Sequence, residues 1–218
     1  MLRLVDADAR ADLRTFVTLA RRADSDGDAR LVGHGPALAL AAYVSPVHGA
    51  GLPTVLGLRV FALAEPWTGD VLAPLAALTD RLARGAFEPV LPLPPFASAG
   101  AAWAGVSPPR SGWRHLGDTT ARDVVRTAEA GIAEIAKGTP GGAGSAAVAR
   151  LRGAVWSRPA EWSTDWPVAV PAGAAFAAHA LGFVRGDGAA SVPVYGHGRW
   201  VRLTTPAGHV LVRPRLPV

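Results

Sequence analysis

The 218-residue chain contains no cysteine, no asparagine and no glutamine, and only one lysine, one methionine and two tyrosines. Without cysteine there is no disulfide framework, no thiolate metal site and no cysteine nucleophile, so His, Asp and Glu are the metal ligands left. Without Asn or Gln, no side chain amide can take adenine bidentately, which removes a common route to base reading. Long apolar runs are missing too. The longest, residues 36–47, falls short of the ~20 residues a membrane-spanning helix needs. The chain opens on Met1-Leu2-Arg3-Leu4-Val5-Asp6 with no basic-led apolar segment, so a soluble cytoplasmic protein is expected.

What is present is apolar and arginine-rich. Half of the residues are hydrophobic, enough to bury a real core in one large domain or two small ones. Of 22 basic residues, 21 are Arg and one is Lys137, and Ala, Gly, Pro and Val are abundant. That pattern fits codon bias in a GC-rich genome, so the high pI says less about partners than its value suggests. Position is more informative. Residues 1–100 carry 9 basic against 10 acidic groups, net −1, and residues 101–218 carry 13 against 7, net +6. The positive charge belongs to the second half.

Asp6 is placed to cap a helix with Leu13, Phe16, Val17 and Ala20 on its apolar stripe and Arg10, Arg14 and Arg21 facing outward. Strands are expected over 29–34, 37–45 and 54–64, the last apolar on both faces except at Arg59. Pro74 opens a helix carrying Leu75, Leu78 and Leu82, with Gly85 as its stop. Residues 89–100 hold four prolines and read as a linker. Beyond it, Thr120 with Asp123 starts a long helix whose apolar face is Val124, Val125, Ala128, Ile132 and Ile135. Ser145 caps a second helix and Pro171 opens a short third one. Turns at 195–198 and 205–208 then make the basic tail a meander. The expected fold is α+β: a mostly antiparallel sheet with helices in residues 1–95, and a three-helix cluster with a C-terminal β meander in residues 96–218.

Several motifs fall short of a site. Asp24, Asp26 and Asp28 start a calcium loop, but Ala29 stands where the sharp-turn glycine belongs and Gly35 where the bidentate glutamate belongs, so a solvated turn is the better reading. The glycine-rich stretch 138–145 follows a helix rather than a strand and has Gly144 at the lysine position, which makes it an inter-helix linker. The six histidines show no zinc spacing, and His179, between Phe176 and Phe183, reads as a hydrogen-bonded core residue. No Gly-x-Ser-x-Gly elbow is present. Neither metal nor cofactor is expected.

Two places are candidates for binding. In residues 103–113, Pro108 and Pro109 stiffen a loop that presents Arg110 with Ser107 and Ser111, flanked by Trp103 and Trp113, with His115 just beyond. The tryptophans also suit a packed seam, which is the preferred reading. In the tail, Arg199, Arg202, His209 and Arg213 lie on a hairpin after three helices, the order of a winged helix, and are placed to follow phosphates. The third helix offers only His179 for base contact.

The stretches Leu19-Ala-Arg-Arg22, Pro74-Leu-Ala-Ala-Leu78 with Asp80-Arg-Leu-Ala-Arg84, Val106-Ser-Pro-Pro-Arg-Ser-Gly-Trp113, Pro171-Ala-Gly-Ala-Ala-Phe176 and Gly198-Arg-Trp200 with Thr205-Pro-Ala-Gly-His209 resemble a family of uncharacterised proteins from high-GC Gram-positive bacteria. The resemblance runs along nearly the whole chain and brings no activity, cofactor or catalytic residue. The leading expectation is a non-enzymatic intracellular binding or interaction module. The alternatives are a non-specific nucleic-acid binder acting through the basic hairpin, and an enzyme whose pocket would draw on Arg110, His115 and Arg59.

Overall fold

Local chemistry sets where the helices begin. In a computed structural model, which describes residues 1–49, 52–84, 88–94, 101–139, 144–186 and 188–214, the Asp6 carboxylate accepts from the Ala9 amide at 2.7 Å and so caps a 17-residue helix. Gly85, residues 95–100 of the proline-rich linker, 140–143 of the glycine-rich loop, Asp187 and Arg215 lie outside the described residues. The fold is α+β with mostly antiparallel strands. It divides into two compact units, residues 1–46 with 57–107 and residues 47–56 with 108–218.

The first unit contains β1 (Leu2–Arg3), α1 (Ala7–Ala23), β2 (Asp28–His34), β3 (Ala39–Val47), β4 (Thr54–Ala62), β5 (Asp70–Pro74), α2 (Leu75–Ala83) and β6 (Val90–Leu91), except that Val47 and residues 54–56 of β3 and β4 belong to the second unit. Its strands run in the order β5-β2-β3-β4, and β1 pairs with β6. The β2 register sets Ala29 opposite Val44 and Ala73, and Leu31 opposite Ala42, so one face is apolar and buried. α1 and α2 pack on each other, and Leu13, Phe16, Val17 and Ala20 of α1 and Leu75, Leu78 and Leu82 of α2 are buried.

Two details, at Arg10 and Leu38, differ from the sequence reading. Arg10 is buried rather than outward. Its Nη2 donates to the carbonyls of Arg81 at 3.2 Å and Arg84 at 2.6 Å, so a cation closes the C-terminal end of α2. Leu38 is not in a strand: at φ 48° it ends a short 3-10 turn over Gly35–Ala37, and β3 starts one residue later. Arg59 escapes isolation by donating to Asp12 at 2.5 Å and lying over the Phe61 ring.

The second unit contains β7 (Arg114–Thr120), α3 (Ala121–Gly138), α4 (Ser145–Ser157), α5 (Ala172–Ala180), β8 (Ser191–His197), β9 (Trp200–Thr205) and β10 (Gly208–Arg213), in the strand order β10-β9-β8-β7. This is the expected helix trio and meander, with β7 added. Thr120 caps α3, its Oγ1 accepting from the Asp123 amide at 3.1 Å and donating to the Asp123 carboxylate at 2.7 Å. Gly144, not Ser145, is the cap of α4. The inward face of α3 is Ala121, Val124, Ala128 and Gly131, whereas Ile132 is 40 % exposed. Gly131 faces inward because Trp156 of α4 fills the space a Cβ would take, while the Trp156 ring stacks on Phe176 of α5 at 4.6 Å. α5 packs against α3, α4 and β10, and six of its residues are buried. His179 does not match the hydrogen-bonded core residue expected, since its Nδ1 is buried without a partner among the described residues. Among the described residues no helix is long and apolar enough to cross a membrane.

Candidate functional site

The β meander has two chemically different faces because side chains alternate along each strand. Val192, Val194, Val201, Leu203, Val210 and Val212 are buried on the face toward the helices. The register places His115, Tyr195, Arg202 and Leu211 in a row across the other face, with His197 opposite Trp200 and Thr204 opposite His209. The β8–β9 hairpin sets this alignment. It closes on a two-residue loop, Gly198-Arg199, with Gly198 at φ 56°, a position glycine takes without steric cost. The turn thus lies later than the 195–198 position expected, and Tyr195 is a strand residue facing Arg202.

Arg202 is the centre of that face. Its guanidinium carbon lies 4.7 Å from the ring centroid of Trp113 and 4.7 Å from that of Tyr195. Trp113 is held for this contact by its own loop, the indole Nε1 donating to the Pro109 carbonyl at 3.1 Å. The Trp113 ring meets His197 edge-on at 6.0 Å, and Tyr195 meets His115 at 5.5 Å. Among the described residues Arg202 makes no hydrogen bond and no ion pair, and its Nε is buried without a partner. Burial lowers the guanidinium pKa below its ordinary value, opposed by Tyr195. Ring contacts contribute on the order of 1 kcal/mol each at a partly exposed site. They supply no acceptor, and an unsatisfied buried donor costs about 1–3 kcal/mol. The unit therefore holds a cation in place without neutralising it.

Around Arg202 the other polar groups are engaged. His115 Nε2 lies 3.1 Å from Asp118, which also accepts from Ser191 at 2.9 Å. His209 Nδ1 is 3.2 Å from Thr204 Oγ1, and its pKa is lowered, by burial first and then by the Arg202 charge. Both effects favour the neutral imidazole of His209.

The residues singled out from sequence are distributed as follows. Arg202, His209 and Arg213 share one face by register, and Arg199 sits in the turn, donating to the Pro214 carbonyl at 3.4 Å. Arg110 and Ser111 are exposed on the segment leading into β7, and His115 is in β7 itself. Ser107 belongs to the first unit. There Arg30 grips Asp70 through two bonds of 2.9 and 2.6 Å and reaches the Ala104 carbonyl at 2.8 Å and the Ser107 hydroxyl at 3.0 Å. That guanidinium holds the Asp70 carboxyl below its usual range. Trp103 is half-buried in the 3-10 turn Ala102–Gly105 of the same unit, and Trp113 packs within the second. α5, the helix that would read bases in a winged helix, has six of its nine residues buried, and phosphate contact through the hairpin would not depend on it. Of the groups named for an enzyme pocket, Arg59 and His115 each hold a carboxylate already. Among the described residues no group of three or more His, Asp or Glu is placed to hold a metal ion. Tyr195 and His197 were missed, although counting outward from a Gly198-Arg199 turn would have paired Tyr195 with Arg202.

The class this defines is an α+β module whose second unit has an arginine-centred sheet face of mixed polarity, on which Leu211 and Trp200 are buried. The chain belongs to the family described as Domain of unknown function (DUF8185), whose model matches residues 108–217. A second model, described as Domain of unknown function (DUF8010), matches residues 1–105. No curated protein and no solved structure matches the chain.

Proposed function

We propose that this protein is a bacterial, cytoplasmic, non-enzymatic binding module whose second unit takes an anionic group of its partner on the sheet face around Arg202. The observation that carries this reading is the state of Arg202, fixed against two aromatic rings and lacking any carboxylate among the described residues. A purely structural arginine is normally paired, as Arg30 is with Asp70 and Arg59 with Asp12 in the first unit. The charge of residues 101–218, net +6, favours an acidic partner and raises its encounter rate. His197 on the same face supplies a further polar group at the rim. Arg110, Ser111, Arg199, His209 and Arg213 are the further candidates for partner contact.

Calorimetric titration of the full chain with acidic, neutral and basic peptides tests this. Binding confined to the acidic set, weakened by salt and lost in a folded Arg202→Ala variant, is the expected result. Equal binding of all three sets, or full retention in the variant, would remove the reading.

A further inference from the structure

The shape of the Arg202 site says which anion it takes. A guanidinium is a flat cation with five donors in its plane. Here its carbon lies over both the Trp113 and the Tyr195 ring, and Nε is buried. The edge bearing Nη1 and Nη2 is what is left for an incoming acceptor. That edge carries parallel N–H groups whose spacing matches the two oxygens of a carboxylate lying in the same plane.

The rings sharpen the preference. An aromatic face is the negative side of its quadrupole, so an oxygen projecting out of the guanidinium plane toward Trp113 or Tyr195 is repelled. A carboxylate has no such oxygen, whereas a tetrahedral phosphate always does.

We infer that Arg202 is a carboxylate receptor, its Nη1–Nη2 edge taking both oxygens of one carboxylate from a chain terminus or an acidic side chain, with Trp113 and Tyr195 as the walls of the slot. This rests on the binding reading above and adds to it the ligand class. The loop that carries Trp113 then acts as one wall, and its Nε1–Pro109 bond keeps that wall in register with the guanidinium.

The test follows the indole N–H resonance of Trp113, assigned with Trp113→Phe, in the full-length protein. N-acetylglycine probes a terminal carboxylate and N-acetylaspartate amide a side-chain one, with N-acetylglycinamide as the uncharged control and inorganic phosphate as the tetrahedral one. Expected is a saturable shift with one or both carboxylates, none with the amide control, and phosphate weaker by about ten-fold or more. Arg202→Lys keeps the charge and loses the fork, and with its fold verified by circular dichroism it loses carboxylate affinity by about ten-fold or more. Phosphate binding at least as tightly as carboxylate, or unchanged affinity in Arg202→Lys, overturns the carboxylate inference and leaves the anion-binding module standing. No saturable shift with any anion overturns both. If Arg202→Lys does not fold, the ranking of the four probes on the unmodified protein decides the question.

Discussion

Arg10, which is buried, and Arg202, which is half-buried, differ in what their guanidinium groups meet. Arg10 gives its Nη2 protons to two helix-end carbonyls; hydrogen bonds from a charged group contribute a net of about 1.5–3 kcal/mol each, offset in part because the Arg10 Nε is buried without a partner among the described residues. Replacing it by Ala leaves the last turn of α2 uncapped and a void beside it. The expected loss is about 2–3 kcal/mol of unfolding free energy, read from urea denaturation; a loss below about 0.5 kcal/mol would show that the guanidinium only fills space. The sequence could not assign Arg10 this role, because the carbonyls that receive it lie 71 and 74 positions away. The same distance problem hid the partners of Arg202. Trp113 is far from it in sequence, and Tyr195 becomes its neighbour only when the turn is placed at Gly198-Arg199.

For the elements, capping and periodicity were readable, and inward orientation was less so. Asp6 and Thr120 cap α1 and α3 as expected because both act on amides three residues away. The buried stripe of α3 was drawn toward Ile132 and Ile135, yet Gly131 is the inward position because a tryptophan on another helix needs the room. Gly131→Ala tests this directly. Helix propensity alone would stabilise by about 1 kcal/mol, but the new methyl overlaps the Trp156 ring, and overpacking costs about 1–3 kcal/mol. A net decrease in Tm is expected; an increase would mean that Trp156 yields easily. β7 was not foreseen, since its Gly117 and its bulge at Leu116 break the alternation that reveals a strand. In β10, His209 makes a pH prediction. Its folded pKa lies below the unfolded value of about 6.5, so the unfolded chain binds the proton first and stability falls as pH drops below that value. Urea midpoints measured from pH 7.5 down to 5 should decline less steeply in His209→Gln than in the wild type, and parallel profiles would exclude His209 as a source.

At the scale of the whole molecule, composition anticipated an α+β chain with its positive charge in the second half, and the described helices and strands are those of such a fold. What composition does not reveal is that residues 47–56 belong with residues 108–218. Val47 lies against Gly173, and Leu52 against Gly153, so a segment from the first half of the chain completes the packing of helices in the second. Residues 108–218 expressed alone are therefore expected to melt at a lower temperature than the same unit in the full chain, as followed by near-ultraviolet circular dichroism; an unchanged transition would show that 47–56 contributes little.

The central claim is that the molecule keeps one guanidinium ready for a carboxylate, and the Arg202 side-chain N–H signals test it most directly. In proton–nitrogen correlation spectra recorded with increasing N-acetylglycine, bidentate capture stops rotation of the guanidinium, so separate Nη signals should emerge saturably and together with the Trp113 indole shift. Nη signals that stay averaged at saturating ligand, with Trp113 unmoved, would contradict the account.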